Sequence, residues 1–247
     1  MLRSLKEIKG YELEAVDGGI GRCADFLIDE QTWTVRWMVA DTRRWLPGRR
    51  VVVSPIALGE PAWADSKLPV RLSREQVEAA PDLDEHAPVT REYEIWYHRH
   101  YGWPYYWGGG GLWASSLNPR ALFLEAKPGD EDGPELDRPH LHSADEILGY
   151  DIAATDGAIG HVDDIILDDE TWSVAYVVAA TRNWLPGKRV LLSLADLEDV
   201  HWAEGSLAVR LTRDDVKESP AYDPSAPVNR ELVARSFDFV GRPRGRD

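Results

Sequence analysis

Short stretches of alternating apolar and polar residues recur along the chain and predict strands. Apolar residues occupy every second position of residues 68–72, which is the period of a strand with one buried face. Residues 33–40 combine valine and methionine with two tryptophans, as expected of a central strand that is covered on both faces. Further strands are predicted at residues 11–16, 21–29 and 50–54.

Turn and cap residues separate these predicted strands. Asp17 and Gly18 are typical of a tight hairpin turn, in which glycine supplies a positive φ angle. After the last strand, Ser73 and Gln76 have the spacing of a capping box, whose two side chains satisfy backbone N–H groups at the start of a helix. A helix of about two turns is therefore predicted, and it should end before Pro81.

The whole pattern occurs twice. Residues 2–93 align with residues 141–232 without a gap, and about 43 of the 92 aligned positions are identical. The second copy keeps the cap at Thr212, but it has Asp215 where Gln or Glu would close the box. A repeat of this length indicates a duplicated domain. Many short strands with glycine and proline turns are typical of a small barrel or sandwich.

The repeat divides the chain into five segments. We predict two tandem β-barrels, each of about five or six strands with a short terminal helix, at residues 1–93 and 141–232. An aromatic-rich arm at residues 94–126 and a flexible, acidic, Pro/Gly-rich linker at residues 127–140 connect them. A tail at residues 233–247 completes the chain.

The longest motif shared by the copies reads Thr-Arg-x-Trp-Leu-Pro-Gly-x-Arg-Val, at residues 42–51 and 181–190. With the Gly-Tyr and Asp-Gly pairs before it and the helix capped by Ser or Thr after it, the motif resembles the PRC-barrel domain. That family is similar to the cytoplasmic domain of the photosynthetic reaction-centre H subunit, and it includes the C-terminal domain of the RimM-type ribosome-maturation factor. The resemblance implies a small barrel used for protein contacts, without common catalytic residues. The chain lacks the H subunit's transmembrane helix and the ribosome factor's RNA-linked domain, so neither specific role is carried over.

The arm between the copies is unusually aromatic. Residues 93–113 contain 9 of the chain's 24 aromatic residues, and solvated linkers are poor in such residues. The arm is therefore expected to pack on the barrels, to form a partner-binding surface, or to stack on a sugar or another ligand. In the Trp-Leu-Pro-Gly loops, the alternative to recognition is that each tryptophan closes one end of its barrel. The candidate partner-binding residues of the loops and the arm are Trp45, Pro47, Trp184, Pro186, Trp96, Tyr101, Trp103, Tyr106 and Trp107.

The net charge, the absence of long apolar runs and the cysteine content restrict the partners that the protein is expected to bind and its expected location in the cell. The net charge of −15 disfavours binding to nucleic acid or anionic membranes and suits a basic protein partner. No apolar run reaches the roughly 20 residues of a membrane helix, and the first residues lack a signal peptide's apolar stretch, so a cytoplasmic protein is expected. The only cysteine, Cys23, aligns with Val162, which excludes a disulfide framework and favours a buried apolar role.

Two His-x-His pairs are the strongest candidates for a metal site. On a strand, His98 and His100 would share one face, as would His140 and His142, and each pair would offer two ligands. Both pairs lie outside the repeated segments, and no cysteine or third histidine stands at ligand spacing. Structural or surface roles are therefore expected for these histidines, and no metal site is predicted.

Two pairs of carboxylates recur in both copies and could in principle serve acid–base chemistry. Asp25 aligns with Asp164, and Asp29 aligns with Asp168, beside predicted hairpin turns where aspartate accepts backbone N–H bonds. A role in the turns is favoured over catalysis. The sequence thus predicts a non-enzymatic structural or protein-interaction module without a cofactor, with self-association left open. The alternative is a small-ligand or metal-ion sensor that uses the barrel ends or the arm.

Overall fold

The computed structural model describes residues 1–42, 46–47, 49–81, 83, 87–123, 139–181 and 187–224. The chain forms two compact units, and each unit combines segments from both sequence copies. The first-copy unit comprises Glu7–Ala144 and Asp169–Ser173. The second-copy unit comprises Met1–Lys6, Asp145–Asp168 and Val174–Asp247.

Strands dominate the described residues, which confirms the prediction of a mainly β fold. In chain order they are β1 (Leu2–Ser4), β2 (Glu12–Ala15), β3 (Gly18–Asp29), β4 (Val35–Asp41), β5 (Val51–Val53), β6 (Lys67–Pro69), β7 (Leu141–Ser143), β8 (Asp151–Ala154), β9 (Gly157–Asp168), β10 (Val174–Thr181), β11 (Arg189–Ser193), β12 (Leu197–His201) and β13 (Ser206–Val209).

Six strands have corresponding places in the sheets of the two units, and the second-copy sheet adds β12. In the first-copy unit the order is β5-β4-β3-β2-β6, and β7 also pairs with β3. In the second-copy unit the order is β11-β10-β9-β8-β13-β12, and β1 also pairs with β9. The β2–β6 and β8–β13 pairs are parallel. This shared topology is consistent with two small barrel-like domains.

The long strands β3 and β9 form the centre of each sheet. In β3 the pairing with β4 shifts between Cys23 and Asp25 and again between Leu27 and Ile28. Such bulges increase the local twist and let one long strand bend, so that it pairs with different neighbours along its length. The inward side chains of the central strands are fully buried, as at Phe26 and Ile28, and Cys23 is buried with them.

Short helices connect or follow the strands. They are α1 (Leu5–Ile8), α2 (Arg74–Glu78), α3 (Arg91–Tyr101), α4 (Pro119–Leu122), α5 (Ala144–Ile147) and α6 (Arg213–Glu218). None of the helices in the described part of the chain has the length and apolar character needed to cross a membrane.

The capping boxes show one success and one error of the sequence prediction. Ser73 and Gln76 form both bonds of a capping box at the start of α2, as predicted. Asp215 also closes its box, because its carboxylate accepts a 2.9 Å hydrogen bond from the backbone N–H of Thr212. The expectation that Gln or Glu is needed at this position to close the box was therefore wrong.

The central strands begin later than predicted. The first starts at Val35, because Trp33 adopts a left-handed backbone with a φ angle of 50°. Trp172 repeats this conformation with a φ angle of 58°. Non-glycine residues seldom adopt such angles, so the surrounding structure must favour them. Trp172 lies in the first-copy unit, where its carbonyl oxygen accepts a 2.8 Å hydrogen bond from the Val35 N–H and its ring is buried.

Candidate functional site

Helix α3 builds an aromatic layer in the first-copy unit. The helix starts after Thr90, whose hydroxyl oxygen accepts a hydrogen bond from the N–H of Tyr93. Tyr93, Tyr97 and Tyr101 follow at four-residue spacing and therefore share one face of the helix. The ring of Tyr97 meets that of Trp37, from β4, nearly perpendicularly at a centroid distance of 4.6 Å. This edge-to-face packing holds the helix against the sheet.

A buried carboxylate lies beneath this layer. The Oε1 atom of Glu94 accepts 3.0 Å hydrogen bonds from Nε1 of Trp37 and from the hydroxyl of Tyr106. Its Oε2 atom lies 3.2 Å from Nη1 of Arg91 and 3.3 Å from Nε2 of His140. The Glu94 side chain is fully buried, and its charge is balanced by Arg91. The carboxylate thus links helix α3, strand β4, the following loop and the segment before β7.

Arg36 forms the second buried polar centre of the layer. Its guanidinium donates to Asp29 Oδ2 at 3.3 Å and to the carbonyl oxygen of Leu112. The same group lies 3.9 Å from the ring centroid of Tyr106 and 4.8 Å from that of Trp113. Cation–π contacts of a desolvated arginine are worth on the order of 2 kcal/mol. Arg36 therefore fixes the loop after α3 to the sheet.

Burial strongly lowers the pKa of the His98 side chain. Its Nδ1 atom lies 2.7 Å from the carbonyl oxygen of Pro104 and donates to it. Burial lowers the pKa of His98 from its ordinary 6.5 to about 4, although Glu94 and the Pro104 carbonyl oppose part of that change. Arg91 and Arg36 lower the pKa further. The ring is therefore neutral at physiological pH, which suits an interior position.

Several polar atoms of this layer have no hydrogen-bond partner among the described residues. They are Nε of Arg91, Oε2 of Glu94, Nε2 of His98, Nε1 of Trp107 and Nδ1 of His140. Buried water molecules usually satisfy such groups. The arrangement can therefore hold internal water and fix the helix position. Because Glu94 and His98 are covered by aromatic rings, neither side chain meets solvent where a substrate would bind.

The structure separates the predicted binding residues of the arm by exposure. Trp96 is 54% exposed, whereas Trp103 and Tyr106 are each only 4% exposed. Tyr101 is half-buried and donates from its hydroxyl to the carbonyl oxygen of Gln76 at 2.9 Å. The ring of Trp107, also half-buried, stacks on that of Tyr105 at 4.8 Å. The partner-binding role of these residues stays a prediction, with Trp96 as the exposed member.

The Trp-Leu-Pro-Gly loops are described only in part. Pro47 is exposed. Trp45, Trp184 and Pro186 lie outside the described residues, as do residues 127–138 of the linker and the tail at residues 233–247.

The basic residue after each loop has a structural role that sequence reasoning missed. Nη1 and Nη2 of Arg49 donate to the carbonyl oxygens of Glu78 and Ala80, at 2.6 and 2.8 Å. Its counterpart Lys188 donates from Nζ to three carbonyl oxygens at the end of α6, including that of Ser219 at 2.6 Å. A cation there satisfies orphan carbonyls and favours the helix dipole. The shared motif therefore ties each sheet to its terminal helix.

Replacing Lys188 with methionine should lower the free energy of unfolding by about 1–2 kcal/mol, because three carbonyl groups lose a charged donor while the alkyl packing is retained. Arg49→Met should have a similar effect on the first-copy unit. Urea unfolding followed by circular dichroism measures the change. The exposed pair of Arg22 and Glu12 provides a control, since Arg22→Met should cost well below about 1 kcal/mol. Equal losses for all three variants would contradict this role.

The first His-x-His pair does not have the shared face that a strand would give it. His98 and His100 lie on helix α3 rather than on a strand, so residues two apart point in different directions: His98 is buried and His100 exposed. His140 contacts Glu94, and His142 Nε2 lies 3.1 Å from Glu30 Oε2. Across the described ranges, no group of three or more His, Cys, Asp and Glu side chains could hold a metal ion.

The recurring aspartates have two different roles. Asp29 accepts backbone N–H bonds from Gln31 and Thr32 at 2.9 and 3.0 Å, which confirms its predicted turn role. Asp25 and Asp164 do not act in turns. Each accepts a hydrogen bond from a serine hydroxyl on the short strand that joins the edge of its sheet. The turn interpretation was therefore wrong for this second pair.

Glu94 and Arg36 were not predicted as site residues. Glu94 lies beyond the repeated segment, so comparison of the copies does not mark it. Arg36 aligns with Ala175. A charged residue within an otherwise apolar central strand requires a buried partner. The difference between Arg36 and Ala175 at this position could therefore have indicated a buried polar site.

The second copy contains a segment that is similar to a known domain family. Residues 139–216 match the family model of the PRC-barrel domain. A PRC-barrel domain is therefore present in the second copy. No curated protein matches the chain. The matched PRC-barrel segment runs from β7 to α6, although β7 pairs with β3 of the first-copy unit. The matched segment thus includes β7, whereas the compact second-copy unit has β1 instead.

Proposed function

We propose that the protein is a non-enzymatic protein-interaction module built from a duplicated PRC-like barrel, acting in the cytoplasm. The PRC-barrel domain at residues 139–216 carries the proposal, because it suggests protein interaction at a general level. The first copy, with its aligned sequence and corresponding order of the shared strands, serves as a second PRC-like barrel.

The interior chemistry of the first-copy unit supports a structural use of its charged groups. Glu94 and His98 are fully buried, and both are engaged by neighbouring side chains or backbone. Catalytic acids and bases must reach a reacting group, and these two do not reach the surface. Their contacts instead make helix α3 a rigid platform for exposed side chains.

Trp96 is the residue of this platform that we assign to partner binding. It lies on α3 with 54% of its surface exposed, while the helix around it is anchored by buried tyrosines. Tryptophan is enriched at interface hot spots, and a rigid tryptophan loses little entropy on binding. The net charge of −15 favours a basic protein partner over nucleic acid.

Substituting Trp96 by alanine should weaken partner binding by about 30-fold or more, as expected of a hot-spot residue. Val16→Ala is the matched control, because Val16 is 71% exposed on the same unit. Affinity capture identifies the partner, and calorimetry with the purified pair then measures both variants. Equal affinities of Trp96→Ala and wild type would contradict the assignment. A metabolite or metal ion that raises the melting temperature by several degrees would instead favour a sensor.

A further inference from the structure

Each sequence copy gives its first strand to the unit formed by the other copy. β1, from the first copy, pairs antiparallel with β9 in the second-copy unit, with Leu2 opposite Asp168 and Ser4 opposite Ile166. β7, from the second copy, pairs antiparallel with β3 in the first-copy unit. The exchange is thus reciprocal, and each unit is completed by a strand that belongs to the other copy.

The two exchanged strands are recognised in the same way. Both have the sequence Leu-x-Ser. The Ser4 hydroxyl donates to Oδ2 of Asp164, and the Ser143 hydroxyl donates to Oδ2 of Asp25 at 2.6 Å. These two aspartates align in the repeat. Identical donors and acceptors at equivalent positions indicate one recognition site that is used twice.

Additional contacts anchor β1 in the second-copy unit. The backbone N–H of Lys6 donates to Oδ1 of Asp164 at 3.3 Å, and its Nζ atom donates to Asp163 at 3.0 Å. Leu2 packs against a buried cluster that includes Ile166 and Tyr222. All of these contacts are made by residues 1–6, and the chain leaves the unit directly after them. The site therefore recognises a short extended segment through its own side chains and backbone.

We infer that the β9 edge of the second-copy unit is a strand-acceptor site for the N-terminal strand of a second copy of this chain. A strand from another molecule would reproduce the ladder with β9, the bond from Ser4 to Asp164 and the pair of Lys6 with Asp163. Exchange of an identical element is a low-cost route to a dimer, because no new contact has to be created. The inference goes beyond the proposed partner surface at Trp96 and does not depend on it.

In the closed form β1 pairs with β9 of its own molecule, and in the exchanged form it pairs with β9 of another molecule. The protein concentration determines which of the two forms predominates. Both forms make the same contacts, so the closed form is favoured only by the effective concentration of a tethered strand, which is in the millimolar range for short connections. Refolding a concentrated mixture, in which strands of different molecules compete for each site, should therefore produce exchanged dimers.

Paired cysteines test the inference on the full chain. Leu2 and Asp168 are direct cross-strand neighbours and both are partly exposed, so cysteines at these positions lie within disulfide distance in the paired strands. In a Cys23→Val background, one tagged chain carries Leu2→Cys and a second chain carries Asp168→Cys. The two are unfolded in urea together, refolded at protein concentrations from about 10 μM to about 1 mM, and oxidised mildly.

A covalent heterodimer that increases at least several-fold over this concentration range supports strand exchange between molecules. Val16→Cys replaces Leu2→Cys in the control mixture, since Val16 is exposed but lies outside the exchanged strand. A single chain with both Leu2→Cys and Asp168→Cys should form an internal disulfide. If it does while the mixed chains stay monomeric, or if both mixtures cross-link equally, the inference is overturned. If the double variant folds but forms no disulfide, the β1–β9 pairing itself is contradicted, and the inference is overturned as well.

Discussion

Replacing Glu94 with alanine is expected to lower the free energy of unfolding by about 3–5 kcal/mol. The substitution removes the carboxylate that accepts from Trp37 and Tyr106 and balances the charge of Arg91. Arg91 is only 11% exposed, so its charge would remain in the interior without a partner. Breaking a buried ion pair from one side is costly for this reason, whatever the net contribution of the intact pair.

Urea unfolding monitored by tryptophan fluorescence measures this loss, because Trp37 lies at the site. Glu92→Ala is the matched control: it lies on the same helix, is exposed, and should change the free energy of unfolding by less than about 0.5 kcal/mol. The loss in free energy of unfolding for Glu94→Gln should lie between those of the two alanine variants, since glutamine keeps the shape of the side chain and part of its hydrogen bonding. If Glu94→Ala and Glu92→Ala cost the same, the Glu94 carboxylate is not buried in solution.

Much of the sheet architecture follows from local patterns in the sequence. The alternation at residues 68–72, the Asp-Gly turns and the cap at Ser73 each act through near neighbours, so their effects can be predicted from spacing. The repeat then shows that the same pattern folds twice. Trp33 shows the limit, because its composition fits a strand while its backbone is left-handed. This conformation belongs to the turn between β3 and β4, in which the N–H of Trp33 donates to the carbonyl oxygen of Asp29 at 2.9 Å.

The strand exchange could not be predicted from periodicity. Residues 2–4 and 141–143 both read Leu-x-Ser, and this pattern is compatible with pairing within their own copy and with pairing to the other copy. Either pairing would offer the same serine to an equivalent aspartate, because Asp25 and Asp164 align in the repeat. The serine that bonds to Asp164 or Asp25 does not indicate the pairing either, because serine is common in exposed segments. The site around Glu94 was missed for a related reason, since its partners come from four separate parts of the chain.

Acidification should destabilise the protein through His98. Burial lowers the pKa of this histidine from 6.5 to about 4, so between these values the unfolded chain binds a proton that the folded protein does not. The stabilising contribution is complete above pH 6.5, declines as the pH falls towards 4, and changes little below that. A difference of this size corresponds to a loss of about 3 kcal/mol between pH 7 and pH 4.

A variant that does not titrate isolates this contribution from that of the carboxylates. His98→Asn keeps a donor near the Pro104 carbonyl oxygen but cannot be protonated in this range. Between pH 7 and pH 4 the free energy of unfolding should fall for both proteins. The fall should be smaller for His98→Asn than for the wild type, and the difference between the two should be about 3 kcal/mol. His100→Asn, at an exposed position on the same helix, should retain the wild-type pH dependence. If His98→Asn loses as much stability as the wild type, then the His98 ring is accessible to water and protons, and the loop containing Pro104 does not cover helix α3 in solution.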